Sequence, residues 1–203
     1  MLDRLLTLFR EKVENRYYGK YRAIVKNNQD PENRGRLQVQ VPALMGEEVI
    51  GWAMPCLPYG GGNGRGLYML PEKEDLVWVE FEAGNISYPI WSGTCWIKNE
   101  APKGVDNSGP KPDVKIIKSK SGHIIQLDDS SSSESVTIID KEGNKIVMNS
   151  GSIEINAGSR DVILKGNSIS VQAVTALDLK GATINVEASG VVTIKGATVD
   201  ISP

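Results

Sequence analysis

The chain has 203 residues, 40% of them apolar and 24% charged, with 23 Lys/Arg against 25 Asp/Glu for a formal net charge of -2. That near-balance excludes a protein that holds nucleic acid mainly through bulk positive charge. No apolar run reaches the roughly 18 residues of a membrane-spanning helix, and two cysteines, Cys56 and Cys95, are too few for a disulfide framework and fit a reducing compartment.

Leu2, Leu5, Leu6, Phe9 and Val13 fall at i, i+3, i+4, i+7 and i+11, which predicts an amphipathic helix within residues 1–15. Arg4, Arg10, Glu11, Lys12 and Glu14 fill most of its other face. Charges interrupt the apolar run and no small-residue cleavage site follows, so it does not read as a signal peptide. So short a helix needs something to cover its apolar face. Residues 1–36 hold nine Lys/Arg and five Asp/Glu, a local +4 that reads as a solvated face or a docking surface for an acidic partner.

Residues 16–97 change to strand patterns. Tyr17–Lys26 is rich in Tyr, Ile and Val, and Asn27–Gly35 is a long turn. Arg36-Leu-Gln-Val-Gln-Val-Pro42 alternates with period two, placing Leu37, Val39 and Val41 on one face until Pro42 stops the strand. Gly51–Pro55, Leu76–Phe81 and Pro89–Trp96 are three more short strands. Five strands and one long loop predict a small closed barrel, with the OB-fold the commonest five-stranded choice. The loop Gly60-Gly-Gly-Asn-Gly-Arg-Gly66 invites a phosphate-binding reading, but it lacks the Gly-Lys-Ser/Thr ending and no helix pattern follows. It is expected to be a barrel loop.

All twelve aromatic residues lie between Phe9 and Trp96. Residues 98–113, with three prolines and two glycines, read as a linker. Beyond it, residues 114–203 must build any core from thin aliphatic packing. Two longer hairpin-like units, 116–129 and 135–148, turn at Gly122 and Gly143. Seven apolar-x-apolar pairs follow: Ile153 with Ile155, Val162 with Leu164, Ile169 with Val171, Leu177 with Leu179, Ile184 with Val186, Val192 with Ile194, and Val199 with Ile201. Their first members are spaced 9, 7, 8, 7, 8 and 7 residues apart, a mean near 8. A single-chain β-helix needs about three such octads per coil, leaving too few coils for a core. Three chains wound on one axis would bury all the pairs together. The fold class expected is therefore all-β: an N-terminal helix, a five-stranded OB-fold barrel, then a trimeric intertwined β-helix needle over residues 114–203. Its core would be the pairs from Ile153 to Ile194, and at about 4.8 Å per strand layer it would be a rod on the order of 50 Å long.

Little suggests catalysis. His123 is the only histidine, so no multi-histidine metal site can form within one chain. A strand packing or turn role suits it better. Asp128 and Asp129 are adjacent, so on a strand they face opposite ways and cannot act as paired acid and base. Ser121 and His123 have no nucleophile elbow around them. No catalytic residue, metal ligand or cofactor is expected.

Three stretches carry a family resemblance: Asn28-Gln-Asp-Pro-Glu-Asn-Arg-Gly-Arg-Leu-Gln-Val-Gln-Val-Pro42, Leu70-Pro-Glu-Lys-Glu-Asp-Leu-Val-Trp-Val-Glu-Phe-Glu-Ala-Gly84 and Pro89-Ile-Trp-Ser-Gly93. With Lys118–Asp129 leading into the octads, the chain resembles the central spike (baseplate assembly protein V) family of contractile-tailed phages and the matching domains of type VI secretion VgrG spikes. The resemblance covers about residues 15–203. It implies a homotrimeric, membrane-puncturing device assembled in the cytoplasm and carried in a tail baseplate or an extracellular injection particle. Its OB collar would sit on a separate tail-hub protein, for which Leu2, Leu5, Leu6 and Phe9 are the docking candidates. A PAAR-type tip protein would sit on the far end at Val199, Ile201 and Pro203, facing the target envelope. The linker is too short for the lysozyme domain of larger relatives, and no His-x-His apical iron motif ends the chain. The alternatives are an OB module stacking single-stranded nucleic acid on Trp52, Tyr59, Tyr68 and Trp78, and a glycan-binding β-helix.

Overall fold

The computed structural model describes residues 2–10, 13 and 16–201. The chain divides into a unit through Asn156 and a second from Ala157 onward. The helix α1 spans Leu2–Phe9 and its apolar face is exposed; of the 1–15 expected, residues 1, 11, 12, 14 and 15 lie outside the described residues. Five strands follow: β1 (Tyr21–Asn27), β2 (Leu37–Gln40), β3 (Val49–Pro55), β4 (Leu76–Phe81) and β5 (Pro89–Thr94). They close into a barrel in the order β1-β2-β3-β5-β4, antiparallel throughout except for the parallel β3–β5 pair. The period-two alternation points Leu37 and Val39 from β2, Val77, Val79 and Phe81 from β4, and Trp91 from β5 into one core with Ala23, Val25, Ile50 and Ala53. Pro42, expected only to end β2, instead starts a short helix, α2 (Pro42–Met45). Its ring presets φ for a first helical turn, where no N–H is needed.

The β1–β2 turn is folded around one carboxylate. Asp30, whose side chain is 1% exposed, accepts backbone N–H bonds from Glu32, Arg34 and Arg36 at 3.0, 2.9 and 3.2 Å. It also accepts the Arg36 guanidinium at 3.0 Å through Nε and 2.6 Å through Nη2. The guanidinium beside it, with the three N–H donors, holds the Asp30 carboxyl far below the usual carboxylate range, and Arg36 is raised in turn by Asp30. Gly35 carries a φ of +76°, which favours glycine, and its carbonyl accepts Trp91 Nε1–H at 3.0 Å in the core. Asn28 Nδ2 donates to the Pro71 carbonyl at 2.9 Å. The three sequence stretches of the first subsection therefore meet: Asp30, Gly35 and Arg36 from one, Pro71 from the second and Trp91 from the third.

A second sheet contains β6 (Val114–Lys118), β7 (Ile124–Asp128), β8 (Ser135–Ile139), β9 (Lys145–Asn149) and β10 (Ile153–Asn156), in the meander order β10-β9-β8-β7-β6. The hairpins turn at Gly122 and Gly143 as expected, both with positive φ. Ile153 and Ile155 lie in the edge strand of this sheet. From Ala157 to Ile201 the chain runs in extended segments parted by bends and forms no strand.

The stretch 98–113, read as a linker, is hydrogen-bonded to the second sheet. Gln126 of β7, 5% exposed, accepts the Val105 N–H through Oε1 at 3.0 Å, and Lys118 Nζ donates to the Lys103 carbonyl at 3.2 Å. The strap is fastened across one face of the sheet. A Cβ on Gly104 would lie 2.7 Å from Gln126 Oε1, closer than real contacts allow. Gly104→Ala is expected to destabilise the chain, and Gln126→Ala to cost about 1 kcal/mol for the lost bond. Because the clash needs the Gln126 side chain, the double variant should cost less than the sum of the two, read from denaturant midpoints.

Candidate functional site

The other face of the sheet carries the chemistry. Antiparallel register aligns Ile117, Ile125, Ile138, Ile146 and Ile155 in one row across all five strands. A parallel row runs Lys115, Leu127, Val136, Met148 and Ile153. Every isoleucine of the first row is exposed, as are Leu127, Met148 and Ile153. Monomeric soluble proteins rarely leave contiguous apolar patches above a few hundred Å² uncovered, and such patches mark interaction surfaces. The strap covers only the opposite face, which holds the buried Ile124, Gln126 and Thr137. In sequence the two rows are apolar-x-apolar pairs: Ile125 with Leu127, Val136 with Ile138, Ile146 with Met148, and Ile153 with Ile155. Only the last was singled out from the sequence. The others carry the same signal, masked by the charged and polar hairpin turns between them.

The remaining residues expected to form the core of a three-chain needle are exposed in one chain. Val162 and Leu164 are exposed, as are Ile169 and Val171, Leu177 and Leu179, Ile184 and Val186, and Val192 and Ile194. Leu164, Val171, Leu179 and Val186, the second members of their pairs, are 70%, 65%, 66% and 70% exposed. The physical reason is that this segment pairs with no neighbouring strand of its own chain, so a ridge one strand wide has no second layer to lie against. Val199 and Ile201 are exposed too; Pro203 lies outside the described residues. Leu2, Leu5, Leu6 and Phe9 are likewise exposed on α1. In sequence, apolar-x-apolar pairs thus begin at Ile125, 28 positions before Ile153, and recur among the tail residues.

Two family models match this chain. The type VI secretion system/phage-baseplate injector OB domain covers residues 21–96, which is the barrel. The phage baseplate V C-terminal trimerisation domain covers residues 114–178, which includes the whole exposed ladder. The chain belongs to the phage baseplate V family. As a family member it is a baseplate injector component, and its matched trimerisation domain supports self-association of three copies. A comparison with curated proteins found no match.

Other features of this baseplate V protein offer less. The Arg36 guanidinium lies 5.5 Å from the Trp52 ring centroid and Arg22 lies 5.7 Å from that of Trp78. Both of these stacking candidates for nucleic acid already have a cation over a face. Tyr59 and Tyr68 are exposed on the glycine loop, beside an open cleft of about 950 Å³. That loop is a small hairpin, closed by Leu67 N–H on the Tyr59 carbonyl at 3.0 Å, with no helix behind it to hold a phosphate. His123 Nδ1 accepts the Lys141 N–H at 3.3 Å and ties two hairpin turns together. Asp128 is lowered by its hydrogen bonds to Ser130, while Asp129 pairs with Lys115, so the two carboxylates serve separate partners. Among the described residues no three His, Cys, Asp or Glu side chains gather as metal ligands.

Proposed function

We propose that three copies of this chain form the central spike of a contractile injection machine. The ladder Ile117–Ile125–Ile138–Ile146–Ile155 of each copy packs on the threefold axis, and the tail pairs continue that seam as an intertwined β-helical needle. Leu164, Val171, Leu179 and Val186, bare in one chain, would be covered there by the same residues of two sister copies. Axial load then falls on interchain backbone bonds of a narrow, aromatic-free rod, which suits piercing of an envelope when the tail contracts. The barrel forms the collar, with α1 docking a separate tail-hub protein through Leu2, Leu5, Leu6 and Phe9. The far end takes a PAAR-type tip protein at Val199, Ile201 and Pro203. Assembly occurs in the cytoplasm before incorporation into the baseplate.

One observation carries this reading: a row of five isoleucines left exposed across the sheet, followed in sequence by further exposed apolar-x-apolar pairs. The test is mass in solution. A trimer weighs about 66 kDa, three times 22.1 kDa. A stable monomer with a mesophile melting point of roughly 45–65 °C would overturn it.

A further inference from the structure

The tail pairs read at first as octads, yet their spacing from Val162 onward is strictly 7, 8, 7, 8 and 7. The structure shows two kinds of bend behind that alternation. The short bends are Lys165-Gly-Asn-Ser168, Lys180-Gly-Ala-Thr183 and Lys195-Gly-Ala-Thr198, four residues each, with the chain bending at residues 167, 182 and 197. The long bends are Gln172–Ala176 and Glu187–Val191, five residues each, bending at residues 174–175 and 189–190. The short bends share one backbone geometry. A Cβ on Gly166, Gly181 or Gly196 would lie 3.3, 3.2 or 3.0 Å from the carbonyl oxygen two residues on. The true period is 15 residues: strand, tight Lys-Gly corner, strand, wide corner.

We infer that copies of this chain pair through an indivisible 15-residue, two-strand unit, complete from Val162 and from Leu177 and begun again at Val192, and not through single octads. The inference rests on the trimeric reading above. In a threefold rod, symmetry puts three identical bends at each height. Tight and wide corners must then alternate up every edge of the rod. Removing one whole unit keeps that alternation. Removing a single strand and bend stacks two tight or two wide corners, although the aliphatic ridge stays continuous in either case.

Three deletions in the full chain separate the alternatives. Deleting 177–191 removes one unit and leaves spacings of 7, 8 and 7. Deleting 169–176 brings two tight corners together, and deleting 177–183 brings two wide ones. We expect the 15-residue deletion to remain a trimer by mass, with its maximum dimension in small-angle scattering reduced by roughly 10 Å, two strand layers. The 8- and 7-residue deletions should dissociate at lower temperature than the 15-residue one, or be lost as trimers, despite removing less chain. Equal behaviour of all three, whether intact or lost, overturns the unit, as does greater stability of either short deletion. A parent chain that is itself monomeric refutes the spike reading instead, and the mass of the parent distinguishes that case.

Discussion

Ile138→Asp is expected to turn a trimer of about 66 kDa into a monomer of 22.1 kDa. Ile138 sits in β8, the middle strand of the five, and in the middle of the isoleucine row. It remains 43% exposed in the single chain, and in the proposed trimer its packing would come from other copies. Burying an isoleucine contributes about 1.5–3 kcal/mol relative to leaving it in water, and the substitution forfeits this in all three copies. It also brings three carboxylates together near one axis, each with a desolvation cost of several kcal/mol and with no cation opposite in the row. Ser132→Asp, in the exposed β7–β8 loop, adds the same charge off the seam and should shift stability by no more than about 0.5 kcal/mol. Mass in solution, with tryptophan fluorescence to show that the barrel is still folded, decides the matter. An Ile138→Asp protein that stays trimeric with unchanged thermal stability would remove the ladder from the interface.

What the sequence made legible and what it hid divide along the range of the interactions. The barrel strands were readable because alternation in Leu37, Val39 and Val41, or in Val77, Val79 and Phe81, is local and has one physical cause, a face turned inward. The α2 helix was missed because Pro42 ends a strand and begins a helix by the same fixed φ. Proline and glycine content describes residues 98–113 alone, and could not show that Gln126, 21 positions beyond Val105, fastens them. For the candidate site, the tail pairs were legible but their upstream members were not. Ile117 and Ile125 join Ile138 only through antiparallel register, which no linear spacing displays. Averaging the tail spacing to eight likewise concealed two different corners, which the 7/8 alternation and the Lys-Gly start of each short bend display. The close approach a Cβ would make at Gly166, Gly181 and Gly196 gives the short bends a shared backbone form.

The barrel should be most sensitive, among its polar groups, at Asp30. Asp30→Asn keeps the shape but places an amide NH₂ where three backbone N–H groups and the Arg36 guanidinium all donate. One of the two oxygens is lost, and Arg36, only 12% exposed, loses its buried counter-charge. The turn that presents the Gly35 carbonyl to Trp91 should loosen with it. Acid provides an independent check on the same pair. The folded carboxyl is depressed far below its ordinary value by Arg36, so at low pH the unfolded chain binds the proton more readily than the folded one. The stabilisation is therefore fully present above the ordinary carboxylate pKa of about 3.9, and is lost as pH falls below it through the lowered folded value. Denaturant midpoints followed by tryptophan emission should thus separate parent and Asp30→Asn widely at pH 7 and 5, and converge as pH drops below about 3.9. A gap between the two that stayed constant down that range would mean that Asp30 acts by shape alone, without its charge.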